Sequence, residues 1–217
     1  MKLQKLGGYA AIAGVCVDIA AYVPIILSQR RFGDVSDPVK IMAAYSTAPG
    51  YGQAIAVLSI ICYILLLIWV FALHERMKAD APYLTRAMLI AMSAAAAAYI
   101  TWAVVWIKGI GIIVPSGDIS AYRAFDAITT GILVTTGHLS GWTCLLIGCA
   151  ILRTRALSRI PGWLILLTGI LWIPRFMVPQ IGLIVDPLSL TACVWVGIAL
   201  IRQKQPQPVS KIMEASR

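Results

Sequence analysis

Apolar residues in this chain come in long runs, without the strict alternation of a half-buried strand or the one-sided period of a surface helix. Read from the N-terminus, the runs cover residues 6–27, 54–73, 87–107 and 127–152. A fifth begins near Pro161 and is interrupted by Pro174 and Pro179, and a sixth covers 187–201. A helix needs about 20 apolar residues to cross a bilayer's hydrocarbon layer. The first four runs meet that length, and the sixth meets it only if residues before Pro187 extend it. The pattern predicts an all-α, polytopic transmembrane helix bundle of about six spans. Residues 1–202 form one helical domain and 203–217 a polar tail, expected to be cytoplasmic and disordered.

Composition agrees with that reading. Hydrophobic residues make up 60% of the chain and charged residues 12%, against roughly 25% charged in soluble domains. Too few charges remain to coat a water-soluble body of this size, so the apolar surface needs lipid. The net charge of +9 is not a nucleic-acid footprint, because the Lys and Arg residues sit in short clusters between the apolar runs. With the N-terminus inside, twelve of them fall on the cytoplasmic side and six on the outer side. The positive-inside rule then places both ends in the cytoplasm. The basic start and apolar first run resemble a signal peptide, but the run is too long and carries Asp18, so it is expected to remain as the first span.

Between the first and second runs, Asp37-Pro38 has the form of a helix start, with Asp37 as cap and Pro38 at the first helical position. Residues 39–45 are expected to form a short amphipathic helix there. Gly137-x-x-x-Gly141 offers a small-residue packing face in the fourth run, and the five alanines 94–98 offer another in the third. Of the tryptophans, Trp106 and Trp163 fall near opposite interfaces, where aromatic belts form. The five cysteines all lie inside apolar runs, without CxxC or Cys/His spacing, and read as packed small hydrophobes. No metal site or cofactor is indicated: the chain has no phosphate loop, nucleophile elbow or His-Glu-x-x-His helix.

The second basic turn and the run after it, Ala156-Leu-Ser-Arg-Ile-Pro-Gly-Trp-Leu-Ile-Leu-Leu-Thr-Gly-Ile-Leu-Trp, carry a resemblance. It resembles the Leu-Pro-Arg-Trp-Leu-Gly-Trp-Leu turn of an uncharacterised bacterial six-span integral-membrane family of unknown function, the DUF four-three-eight-six type. The long first loop, the six-span layout and the total length are similar too. Ser-Arg-Ile-Pro stands here in place of Pro-Arg-Trp-Leu. The resemblance implies an architecture and no activity, so no site residue is carried over from it.

Ionisable residues inside spans are the sharpest pointer to function, because each costs several kcal/mol unless paired or hydrated. Four stand out: Asp18, His138, Arg175 and Asp186. At 1.5 Å rise per residue all four fall about 18–22 Å from the cytoplasmic ends of their spans. Pro174, Pro179 and Pro187 bracket two of them, and broken backbone at that depth must be packed in protein or line a wet cavity. The expectation is an outward-facing polar pocket that binds or translocates a small amphiphilic or lipid-like molecule. Three other readings stand beside it. The four residues can be purely structural, with Arg175 locked to Asp18 or Asp186. Asp18 or Asp186 can be the general acid of an intramembrane isomerase or cyclase acting on an apolar substrate. The architecture is loosely similar to small integral-membrane terpene cyclases, without their local motifs. The chain can also be a structural subunit of a membrane complex. Oligomeric state is not readable from the sequence.

Overall fold

The computed structural model describes residues 3–32 and 37–202. The tail from residue 203, expected to be polar and disordered, lies outside them. Seven helices follow in order: α1 (Leu3–Phe32), α2 (Pro38–Thr47), α3 (Gly50–Met77), α4 (Pro82–Ser116), α5 (Ile119–Thr154), α6 (Arg159–Trp172) and α7 (Gly182–Arg202). Two single 3₁₀ turns, Pro174–Phe176 and Pro179–Ile181, join α6 to α7. No strand occurs among the described residues. The chain is an all-α membrane bundle, in which α1, α3, α4, α5 and α7 are each long and apolar enough to cross a bilayer.

Of the six segments, the fifth differs from the others in length. The fifth segment, α6, is a helix of only 14 residues, about 21 Å long at 1.5 Å per residue against roughly 30 Å of hydrocarbon. Pro174 stops it, since a proline there has no N–H to give and clashes with the preceding turn. The two 3₁₀ turns then carry the chain on to Gly182, about 30 Å from the basic end of α7. That helix begins at Gly182, five residues before Pro187, and so gains the length that residues 187–201 lacked.

Local chemistry explains the other helix ends. Asp37 Oδ1 accepts the Val39 N–H at 2.9 Å and Pro38 fills the first helical position of α2, as the sequence anticipates. Asp118 caps α5 by accepting from Ser120 N at 2.9 Å and Ala121 N at 3.0 Å. Just before it, Gly117 ends α4 at φ +68°, a left-handed conformation glycine adopts without strain.

Six helices pack as a closed ring in chain order, α1 beside α3, then α4, α5, α6 and α7, with α7 closing against α1. Close approaches at glycines make this possible. A Cβ on Gly8 would lie 2.6 Å from the Gly197 carbonyl oxygen, so α1 and α7 touch backbone to backbone there. A Cβ on Gly148 would lie 2.7 Å from Leu166 N, and one on Gly169 2.6 Å from Leu145 N, which brings α5 and α6 equally close. Gly141 faces the Gly169 carbonyl, and Gly137 receives the Phe176 ring, so the small-residue face read in the sequence is the seat of the α6–α7 hairpin.

One end of the ring, where Arg76, Arg153, Arg155, Arg159 and Arg202 gather, is filled solid. Leu73, Met77, Met88, Ile147, Ile151, Val196 and Leu200 are all buried in one cluster at its centre. Arg76 ties this basic end together, donating from Nη2 to the Ala156 carbonyl at 2.9 Å and from Nη1 to Gln4 Oε1 at 3.4 Å. The other half is held by aromatic rings. Tyr63, Tyr99, Trp102, Trp106 and Phe125 form a chain of neighbouring rings with centroids 4.1 to 5.8 Å apart. Trp106 is half-buried among these rings, and Trp163 is exposed at the start of α6. Tyr45 of α2 meets Trp106 edge-on at 5.9 Å. Burial, and then the Asp126 carboxylate, push its hydroxyl up to about 12. Of the cysteines, Cys62 is buried, while Cys16 and Cys149 face outward, contrary to the expectation that all five are packed.

Candidate functional site

The centre of the ring is open above the solid end. A cavity of about 290 Å³ lies there, lined by residues from α1, α3, α4, α5, α7, the last residue of α6 and the α6–α7 turn. On α1 the lining residues Gly14, Asp18 and Tyr22 are four apart, which places them on one face. On α5 the stripe runs Leu133, Thr136, Gly137, Ser140, Thr143, Cys144 and Ile147, again one face of a helix.

Arg175 and Asp186 form the polar rim. The guanidinium makes a two-pronged contact, Nη2 to Oδ2 at 2.9 Å and Nη1 to Oδ1 at 2.5 Å. This is the planar geometry that fixes an arginine on a carboxylate. The same guanidinium lies 4.3 Å from the centre of the Trp172 ring, a second stabilising contact for the cation. The 3₁₀ turn that starts at Pro174 aims Arg175 inward, and Asp186 stands on the second turn of α7. Both side chains remain partly exposed, at 24% and 30%, so the pair faces the cavity and is not sealed in the core. Asp18 also lines the cavity, and it has no ion-pair partner among the described residues.

Below the rim the walls are aromatic. Tyr63 and Tyr99 stack at 4.1 Å with 21° between their planes. The Tyr63 hydroxyl lies 3.2 Å from Ser140 Oγ, and that of Tyr99 donates to Ser59 Oγ at 3.3 Å. The floor is Leu66, Trp69, Met92 and Ile147. Trp69 is 3% exposed, and its indole N–H has no hydrogen-bond partner among the described residues. A polar rim above an apolar floor is the arrangement of a small-molecule pocket. Among the described residues no three His, Cys, Asp or Glu side chains gather closely enough to hold a metal ion.

Three of the four residues singled out in the sequence thus meet at one rim. Counted from the basic ends of α1 and α7, Asp18 and Asp186 stand at about 22–24 Å, the common depth their spacing implies. His138 does not join them. Its Nδ1 lies 2.8 Å from the Val134 carbonyl oxygen, and its ring stacks on Phe176 at 5.9 Å. At 100° per residue His138 points roughly 160° away from Ser140, the middle of the lining stripe. Depth alone put it in the cavity, and its side of the helix takes it out. The sequence reading missed Tyr22, Tyr63, Tyr99, Ser140 and Trp69. Only their spacing along each helix, Tyr22 four residues after Asp18 for example, could have pointed to them. No family model matches the chain, and no curated protein or solved structure matches it.

Proposed function

We propose that this chain resides in the cytoplasmic membrane of a bacterium with both ends inside, and that its central cavity binds or translocates a small amphiphilic or lipid-like molecule. The observation that carries the reading is the two-ended cavity. Asp18, Arg175 and Asp186 offer a head group charge and hydrogen bonds at the rim, and Leu66, Met92 and Ile147 offer an apolar chain its place on the floor. The buried cluster at the basic end closes the ring on that side, which supports access from the outer half.

Native mass spectrometry of the protein extracted in its own lipids tests the proposal. One small amphiphile should remain bound to the wild type and be absent from Ser140→Trp, whose added ring fills the cavity. A wild type that carries nothing beyond ordinary bilayer lipid overturns it. Orientation is tested separately, by reporter fusions at Ser116 and at the C-terminus, which should report periplasm and cytoplasm respectively.

The second reading is an intramembrane isomerase or cyclase, with Asp18 as general acid toward an apolar substrate. The absence of an ion-pair partner for Asp18 among the described residues favours it. A structural subunit is favoured by one feature, the exposed small face Ser93, Ala94, Ala97 and Thr101 on α4. Against it stand large apolar side chains directed outward from every long helix, including Ile19, Ile64, Ile90, Ile128 and Leu183.

A further inference from the structure

We infer that the cavity selects an ammonium-headed amphiphile, with the Asp18 carboxylate as counter-ion and the rings of Tyr22, Tyr63 and Tyr99 around the cation. This rests on the binding reading above and names its ligand class. The charged side chains lining the cavity are Asp18, Arg175 and Asp186. Arg175 is already engaged on both sides, by the two-pronged contact with Asp186 and by the Trp172 ring. Asp18 is the charge left over. An anionic head group would have to break the Arg175–Asp186 pair and would then face Asp18. A neutral head group would leave Asp18 without an opposite charge at a depth where an isolated charge is costly.

An ammonium group answers both needs. Cations are attracted to the faces of aromatic rings, and quaternary ammonium groups are recognised by several rings together with an acid. Tyr63 and Tyr99, stacked at 4.1 Å, and Tyr22, one turn above Asp18, supply such rings. The volume of about 290 Å³ lies at the small end of ligand pockets, which suits a single apolar chain and not a two-chain lipid. Trp69, buried on the floor with its N–H unpartnered among the described residues, is a second group that a bound molecule or its water can satisfy.

The test is calorimetric titration of the full chain in zwitterionic nanodiscs, with protein-free discs subtracted, using decyltrimethylammonium, decanoate and decanol. The ammonium probe should saturate one site that Ser140→Trp removes. The other two should bind that site at least about tenfold more weakly, the worth of roughly one charged contact. Asp18→Asn should weaken the ammonium probe by at least about tenfold, with Asp18→Glu restoring part of it and both variants melting like the wild type. Decanoate or decanol filling the Ser140→Trp-sensitive site as tightly as the ammonium overturns the inference and leaves the binding reading intact. A probe affinity unchanged in a folded Asp18→Asn overturns it too. If none of the three occupies such a site, both the inference and the binding reading fail. The ranking of head groups on the wild type decides the matter even where a variant does not fold.

Discussion

The two halves of the ring are built from similar apolar helices and pack in opposite ways. At the basic end α1 touches α7 through Gly8 and Gly197, and α5 touches α6 through Gly148 and Gly169. The middle is filled by Leu73, Met77, Met88 and Ile151. In the other half, rings as large as Tyr63, Tyr99 and Trp106 stand between the helices, and the centre is a cavity. Apolarity does not distinguish the halves. In lipid an apolar helix gains little by leaving its solvent, so close packing depends on how near two backbones can come. Small residues decide where the bundle is solid, and large flat ones where it is hollow.

That account is most exposed at Gly148. Gly148→Leu places a side chain against the backbone of Leu166, which cannot retreat without lifting α6 off α5. A loss of about 3 kcal/mol or more is expected, seen as loss of the monodisperse peak on size exclusion in detergent. Leu73→Ala comes next. Leu73 is fully buried in the solid end, and the cavity left behind should cost about 2–4 kcal/mol by reversible unfolding in mixed micelles. Leu133→Ala, on the cavity wall, should cost clearly less; equal costs would mean that the halves are packed alike. Arg175→Ala should cost only about 1 kcal/mol, because the pair it breaks faces the cavity and is not dry, and it should leave an ammonium-headed amphiphile bound, since Asp18 is untouched and Asp186 is freed. A cost of about 3–5 kcal/mol would make the pair a structural lock. The smallest effect concerns Arg155, which holds φ 53° at the C-terminus of α5. Arg155→Gly relieves a left-handed residue of its Cβ and should raise stability by up to about 1 kcal/mol, read as a higher melting temperature.

The spans were readable because a long apolar run has one physical solution in a bilayer. Their ends were less so. Residues 87–107 and 127–152 widen to Pro82–Ser116 and Ile119–Thr154, because helix continues past the apolar stretch wherever a cap such as Asp118 allows it and hydropathy does not register that. The break after Trp172 could be read, since Pro174 and Pro179 forbid a straight helix. Its consequence could not: whether the chain goes on across or turns back depends on what Phe176 finds at Gly137, a partner distant in sequence. The same limit governs the site. Depth follows from counting residues and brought Asp18, Arg175 and Asp186 to one layer. Rotation about each helix axis follows from packing, and it separates His138 from Ser140, two residues apart on the same helix.

The short α6 also bears on how the chain enters its membrane. A translocon releases a segment sideways into lipid when that segment is long and apolar enough by itself. With 14 residues, α6 falls short of the length that a lone span requires, and the chain beyond it carries a guanidinium. Its release is therefore expected to wait until Asp186 and α7 have emerged from the ribosome, so that the last two helices leave the channel as one neutralised hairpin. The emergence of α7 would then also be the step that closes the ring.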